Sequence, residues 1–340
     1  MSNIDELTKE IEKIIIEEKS TNPDLKDISP NHARLLAQIV DNFHLTPSEE
    51  EHPQAKMIYL GAPTGAGKDT LVRRIIQEES TNGNYVVLNM DMFRHYHNEI
   101  TGSMESIADK DFAHVTNQTS YEIYYLVQEI ILRLFPGTNV IVTGTMKDLS
   151  WVKEIVNRYK KDKKTKYSIT LSTLAVPIVE SAFSIFERYL SMVQTRGSSR
   201  VPLRYTTLNY HKDTTKEFIS NVHYFEDDLK TNEDSYFEEI KVYKRSKHIE
   251  DMDEDILLFS SQKQDMFYSP TTALKAVMYA AHRIDPQRLF KLLGIVEANE
   301  EYLKGQSLYK EVLTGLEKVL PSLNIDKSQT PPKESDDIDK

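Results

Sequence analysis

Apolar residues recur along this chain with two periods, and the alternation between them outlines the fold. Ile4, Leu7, Ile11 and Ile14 fall at helical spacing, which predicts an amphipathic helix over 4–19. The polar stretch 20–30 carries two prolines and reads as a linker, and a second helix is expected over 31–43, ahead of the acidic residues 48–52. Short apolar runs then mark buried strands at 57–61, 85–89 (YVVLN), 139–143 (NVIVT), 168–175 (SITLSTLA) and 239–243. Helical patterns separate them near 118–135, 148–160, 178–195 and 212–230. Strand alternating with helix implies an α/β fold with a mainly parallel sheet and right-handed crossovers. Ligands of such sheets sit beyond the carboxyl ends of the strands, so the chemistry should lie just after each strand.

Two or three more helices are expected over 270–320, and the tail after Leu323 has the composition of disorder. The division that follows is an N-terminal helical segment (1–49), a core domain (50–248), a C-terminal helical appendage (249–323) and a disordered tail (324–340). No internal repeat is visible. The basic run 160–166 (KKDKKTK) reads as a solvated turn between helix and strand.

Composition narrows the function classes. The 340 residues include 42 Lys+Arg against 53 Asp+Glu, a formal charge of −11 that argues against a nucleic-acid partner. The absence of cysteine excludes disulfides, thiolate zinc sites and a cysteine nucleophile. The charged N-terminus lacks the apolar core of a signal peptide, and no apolar run reaches membrane-spanning length. A cytoplasmic protein with no membrane association is expected.

The most specific motif follows the first strand: Gly61-Ala62-Pro63-Thr64-Gly65-Ala66-Gly67-Lys68-Asp69-Thr70. Glycines permit the backbone angles that curl successive N–H groups around phosphate oxygens, and the helix beginning at Lys68 offers its positive end to the same anion. Lys68 can reach the outer phosphates. This is a P-loop, and it implies a nucleoside triphosphate. It departs from the standard pattern in that Asp69, not a hydroxyl residue, follows the lysine. A Mg²⁺ ion would then be held by Thr70 one place later, or by Asp69 through water. The G-K-x-T run resembles the loop of nucleoside-monophosphate-kinase-like enzymes and favours phosphoryl transfer over a motor ATPase or GTPase.

The ends of the other strands supply further candidates. Asp91 follows the second strand, where a carboxylate could accept the proton of an attacking hydroxyl or hold Mg²⁺ through water, and where it could equally be a helix cap. Thr143, Gly144 and Thr145 close the third strand, as a substrate contact or as a tight turn. Beyond the fourth strand come Arg188, on a helix, and then Arg200 and Arg204 in a Gly/Ser/Pro-containing segment. Arginines there suit a triphosphate, although each taken alone is as well explained as a surface residue.

In this order, GAGKDT, NMDMFRHYH, DFAHVT, VIVTGT and LAVPIVESAFSIFERY, with a later Arg-Val-Pro, the chain resembles zeta toxins over roughly residues 50–245. The resemblance implies a P-loop kinase fold that uses ATP and Mg²⁺ to phosphorylate the 3′-hydroxyl of the amino sugar in UDP-N-acetylglucosamine, and a small helical antitoxin as partner. Carried over, Lys68 matches the P-loop lysine, Asp91 the base toward the acceptor hydroxyl, Thr145 the threonine of an E-G-T turn and Arg188 a phosphate-gripping arginine. Arg200 matches the second phosphate arginine, with Arg204 as the alternative, and His97 is a further acceptor-side candidate. Thr143 stands in place of the family's glutamate and Lys147 in place of an arginine. Another family glutamate, on the helix before the third strand, corresponds to Glu122, Gln128 or Glu129 depending on the gaps. The phosphate machinery is retained and the acceptor side altered. The competing readings are a kinase of a dinucleotide cofactor or of a nucleic-acid 5′ end, and a non-catalytic, nucleotide-gated protein-binding module.

Overall fold

The computed structural model describes residues 4–46, 48, 50, 53–79, 85–102, 107–195, 203–245, 256–262, 269–281 and 284–319. A six-stranded sheet runs through the molecule. Its strands are β1 (Gln54–Gly61), β2 (Tyr85–Asn89), β3 (Asn139–Gly144), β4 (Lys166–Ala175), β5 (Glu239–Lys244) and β6 (Ile256–Ser260), in the spatial order β2-β3-β1-β4-β5-β6. All neighbours are parallel except β5 and β6. The sequence predicts five of these strands. The sixth is a five-residue apolar run that closes one edge antiparallel to β5, with a register shift at Val242/Tyr243.

Both faces of the sheet are covered, and the strand period sorts residues between them. Met57 and Tyr59 of β1 join the larger core, whereas Ile58 and Leu60 join a smaller one. The smaller core is closed by α3 (Lys68–Glu78) through Leu71, Val72 and Ile75. The larger is closed by α6 (Asn117–Leu134), α7 (Leu149–Lys160) and α9 (Leu208–Thr231), with α10 (Pro270–Met278) at its margin. The predicted N-terminal helices are α1 (Ile4–Thr21) and α2 (Ala33–Asp41), and both pack on α6. This second layer explains why α6 is apolar nearly all round.

Two short helices, α4 (His97–Thr101) and α5 (Asp109–Val115), link β2 to α6. The fourth strand feeds α8 (Ile178–Thr195), which carries a third core shared with α11 (Pro286–Ala298), α12 (Glu300–Gly305) and α13 (Tyr309–Val319). Four helices therefore occupy 270–319 where two or three were expected. Caps explain the extra breaks: Ser269 and Asp285 each accept a first-turn N–H ahead of a proline, and Ser307 takes a positive φ of 59° before α13. The helix expected from 212 begins at Leu208 because Thr207 caps it.

Candidate active site

The glycine-rich turn after β1 is shaped by close packing. Gly65 has φ of +79°, and a Cβ there would lie 2.1 Å from the Ser181 carbonyl oxygen, where α8 passes over the loop. Gly67 is left-handed at φ +87° and caps α3. The Ala62 N–H donates to the Gly144 carbonyl (3.2 Å), tying the loop to the end of β3, and Ala66 N–H donates to Pro63 (3.3 Å). The first turn of α3 leaves N–H groups without helical partners at this end, which favours an anion. Lys68 curls back over the turn and donates from Nζ to the carbonyls of Ala62 (3.1 Å) and Pro63 (3.3 Å). Burial, then the positive charge of Arg188 and, more weakly, of Arg204, lowers its pKa to about 8, with Asp69 opposing.

Around this turn lies a cavity of about 520 Å³ at the carboxyl ends of the strands. Thr64, Gly65, Gly67, Lys68 and Asp69 line one end, and Arg188, Arg204 and Arg245 face it. Arg245 is the residue after β5, and its Nη1 reaches the Gly65 carbonyl at 3.5 Å and Ser184 Oγ at 3.3 Å. Position after a strand was the signal that could have found it.

Asp91 lies in a 3₁₀ turn, Met90–Tyr96, that Asn89 caps by accepting the Asp91 N–H at 2.9 Å. The cap is therefore Asn89, and the Asp91 carboxylate is left to line the cavity. One oxygen accepts from Arg94 Nε at 2.9 Å, and the other is ion-paired with Arg204. Arg94 is itself fixed by the Ala113 carbonyl (2.7 Å) and Thr116 Oγ1 (3.0 Å). Nothing in the local pattern singled out Arg94 beyond its place three residues past Asp91.

Thr143, Thr145, Lys147, Tyr124 and Trp151 line another part of the cavity. The turn after β3 is tight: Met146 has φ of +52°, and Asn221 Nδ2 donates to its carbonyl at 2.7 Å. Lys147 holds its ammonium 4.4 Å from the Tyr210 ring centre. Trp151 stands 5.8 Å from Tyr124, where α7 is started by the Asp148 side chain accepting the Trp151 N–H.

Several candidates lie elsewhere. Glu122 is fully buried and faces the N-terminal segment, where it accepts the backbone N–H groups of Lys26, Asp27 and Ile28 at 2.8–3.0 Å. Its neighbour Gln118 donates as well. A carboxylate saturated by these donors is a structural anchor, not a substrate contact. His97 bonds Thr119 Oγ1 at 3.0 Å, and Thr119 in turn donates to Asp27, so it belongs to the same anchor. Glu129, largely buried on α6, is paired with Arg133 and Arg158, and Gln128 donates to the Tyr124 carbonyl within the helix. None of these three α6 residues lines the cavity. Thr70 does not line it either, its N–H returning to Gly67 (3.1 Å), whereas Asp69 does. Gly61 is held against Met146, and Ala62, Pro63 and Ala66 are buried in the turn. Arg200 lies outside the described residues.

Three buried polar atoms on this lining have no partner: Thr64 Oγ1, Thr143 Oγ1 and Arg204 Nε. The helix start and the cations Lys68, Arg188, Arg204 and Arg245 suit the glycine-rich end to an anion. Residues 39–264 match the family model for zeta toxin. The chain belongs to the zeta toxin family. Its fold is similar to that of a chain from the PezAT chromosomal toxin–antitoxin system of the human pathogen Streptococcus pneumoniae, at 19% identity and a TM-score of 0.56, over 84% of this chain and 97% of that one. A chain of the AvrRxo1-ORF1:AvrRxo1-ORF2 complex with sulphate ions matches at 14% identity and a TM-score of 0.49, over 87% of each chain. No curated protein matches the chain. The P-loop kinase fold expected from the sequence is thus the fold of this zeta toxin family member.

Mg²⁺, the ion implied for this family, keeps most of its shell as water and phosphate oxygens and takes one or two carboxylates from the protein. Asp69 and Asp91 both line the cavity and fit that donor set. Among the described residues no group of three His, Asp or Glu side chains is arranged to hold a metal. No described helix is long and apolar enough to cross a membrane.

Proposed function

We propose that this zeta toxin family protein transfers the γ-phosphoryl group of ATP to a hydroxyl of a small nucleotide-containing metabolite, a UDP-amino sugar such as UDP-N-acetylglucosamine. The observation that carries the reading is the placement of Asp91 in one cavity with the glycine-rich turn, Lys68, Arg188 and Arg204. The N–H groups around Gly65–Asp69 and Lys68 hold the phosphates, with Arg188 and Arg245 neutralising the remaining charge. Mg²⁺, when bound, would screen the phosphates and orient them for in-line transfer. Asp69 would hold it through water.

A carboxylate lying between two guanidiniums is a weak base, so Arg204 must leave Asp91 for the transferring phosphate. That exchange frees one Asp91 oxygen to orient the acceptor hydroxyl and take its proton. Arg94 continues to hold the other. The acceptor lies against Thr143, Thr145 and the rings of Trp151 and Tyr124. A cytoplasmic location, where ATP is available, is part of this reading, and membership of the family supports an antitoxin-type protein partner.

The test is ATP consumption by the purified chain against UDP-sugars, dinucleotides, nucleosides and 5′-hydroxyl oligonucleotides, with Asp91→Ala and Lys68→Ala as controls. Selective, Asp91-dependent turnover with a UDP-amino sugar is expected. ATP binding without acceptor-stimulated ADP release would replace the kinase with a nucleotide-gated binding module.

A further inference from the structure

The C-terminal helices α11–α13 lie beyond the residues that match the family model, yet they share a core with α8, which carries Arg188, and with Leu203 and Tyr205, which flank Arg204. Their meeting point is Asp109, the first residue of α5, which is 1% exposed. Its Oδ1 accepts the Leu203 N–H at 2.8 Å. Its Oδ2 accepts the hydroxyls of Tyr189, on α8, at 2.8 Å and of Tyr302, on α12, at 2.6 Å. The Asp109 N–H donates to Gln306 Oε1 at 2.9 Å, so α12 holds this residue from two sides. A buried carboxylate is tolerated only when it is satisfied this fully.

Leu203 and Tyr205 both turn into the core of α8 and α11–α13, while Arg204 between them turns into the cavity. Tyr205 packs edge-on against Tyr189, with ring centres 5.0 Å apart. A second clamp acts on α8: Arg288 of α11 forks onto Glu187, the residue before Arg188, at 2.8 and 2.5 Å, and onto Glu180 at 3.0 and 3.1 Å. Bidentate pairs of this kind fix orientation as well as distance. Gly315 of α13 meets Phe186 of α8 so closely that a Cβ would lie 2.4 Å from the ring.

We propose that α11–α13 form a brace that sets two of the cavity's arginines, Arg188 and Arg204, and that Asp109 is the positioning residue through which it sets Arg204. The inference rests on the proposed role of Arg204 at the transferring phosphate. The brace acts through an extended segment: Asp109 holds the Leu203 backbone, and the next side chain is delivered to the site. A substitution at Asp109 or Tyr302 should therefore act only as long as Arg204 is present.

The experiment uses the full chain, with ATP affinity measured by titration calorimetry and exchange of the Leu203 amide followed by mass spectrometry. Asp109→Asn is expected to weaken ATP binding about tenfold in the wild-type background, and by less than about twofold when combined with Arg204→Ala, because coupled neighbours are non-additive. Tyr302→Phe, which keeps the carboxylate and one hydroxyl partner, serves if Asp109→Asn does not fold. It should speed Leu203 exchange without speeding exchange in β1 or β3. Full multiplication of the Asp109→Asn and Arg204→Ala effects, or unchanged Leu203 exchange in Tyr302→Phe, would overturn the brace. If the wild-type chain binds no ATP the kinase reading fails by itself, and the exchange rate still decides whether the brace exists.

Discussion

The two ends of the cavity are built in different ways. The phosphate cradle comes from one contiguous stretch, residues 61–69, whose shape is set by left-handed glycines and a helix start, with Arg188, Arg204 and Arg245 brought to it from elsewhere in the chain. The proposed acceptor end is assembled from the turn after β3, from Tyr124 on α6 and from Trp151 at the start of α7. The phosphate end must recognise an anion that every nucleoside triphosphate shares, so its chemistry is constrained to backbone donors and cations. On the proposed reading the other end recognises one metabolite, and a change at a single residue such as Thr143 would alter that recognition. Asp91 stands at the junction, bonded to Arg94 on one side and paired with Arg204 on the other.

That junction gives the largest expected effect. Asp91→Ala should lower kcat ~10²–10⁴-fold, the range for loss of a general base. ATP affinity should hold or tighten, because Arg204 loses its competing carboxylate. Parallel losses in kcat and ATP affinity would mean that Asp91 belongs to the phosphate end and would erase the division.

A second test concerns a residue that the sequence placed at the acceptor end and the structure does not. Glu122 accepts N–H groups from the loop between α1 and α2, and its loss strands those buried donors. Glu122→Ala should cost roughly 3 kcal/mol of stability in denaturant unfolding, as expected for breaking a buried charged hydrogen-bond set. The acceptor KM should stay within about twofold, since nothing in the cavity changes. An acceptor defect in a fully stable variant would return Glu122 to the site.

The contrast between the ends also explains what the sequence made legible. Lys68, Asp91 and Thr145, expected because each follows a strand, and Arg188, expected from the family resemblance, all line the one cavity. Five of six strands were readable from apolar runs, and β6 was missed because its short edge strand lies in a stretch without a helix signal. Glu122 and His97 were misplaced because sequence carries no trace of the loop 22–30 folding back over α6. Arg94 and Asp109 were missed because their roles depend on partners far away in the chain, Arg94 on Ala113 and Thr116 and Asp109 on Leu203 and Tyr302, whereas Arg245 was missed although it directly follows β5.

The phosphate end should show a pH dependence that the acceptor end lacks. Lys68 has its pKa lowered to about 8 by burial and by Arg188. Below that value the free protein already carries the charge that phosphate needs, and ATP affinity should be flat. Above it, binding must take up a proton, so Kd should rise with pH by up to about tenfold per unit until the nucleotide-bound lysine also titrates. Calorimetry between pH 6.5 and 9.5 in buffers of differing ionisation enthalpy would count the proton taken up. No uptake above pH 8 would show that Lys68 is not the group in contact with phosphate.

The smallest expected effect lies at the acceptor end alone. Trp151 stands at the cavity lining in contact range of Tyr121 and Tyr124, with ring centres 5.4 and 5.8 Å away, so the indole is fixed before any ligand arrives. A planar acceptor ring packed against it would gain about 1 kcal/mol beyond area burial, the usual worth of an aromatic pair. Trp151→Ala should therefore raise acceptor KM by roughly fivefold, with kcat and ATP affinity unchanged because neither Asp91 nor the glycine-rich turn touches the indole. Trp151→Phe should recover most of the loss. If Trp151→Ala instead lowers kcat at unchanged KM, the ring positions the hydroxyl at Asp91 and does not hold the acceptor, and the two ends are mechanically coupled through α7.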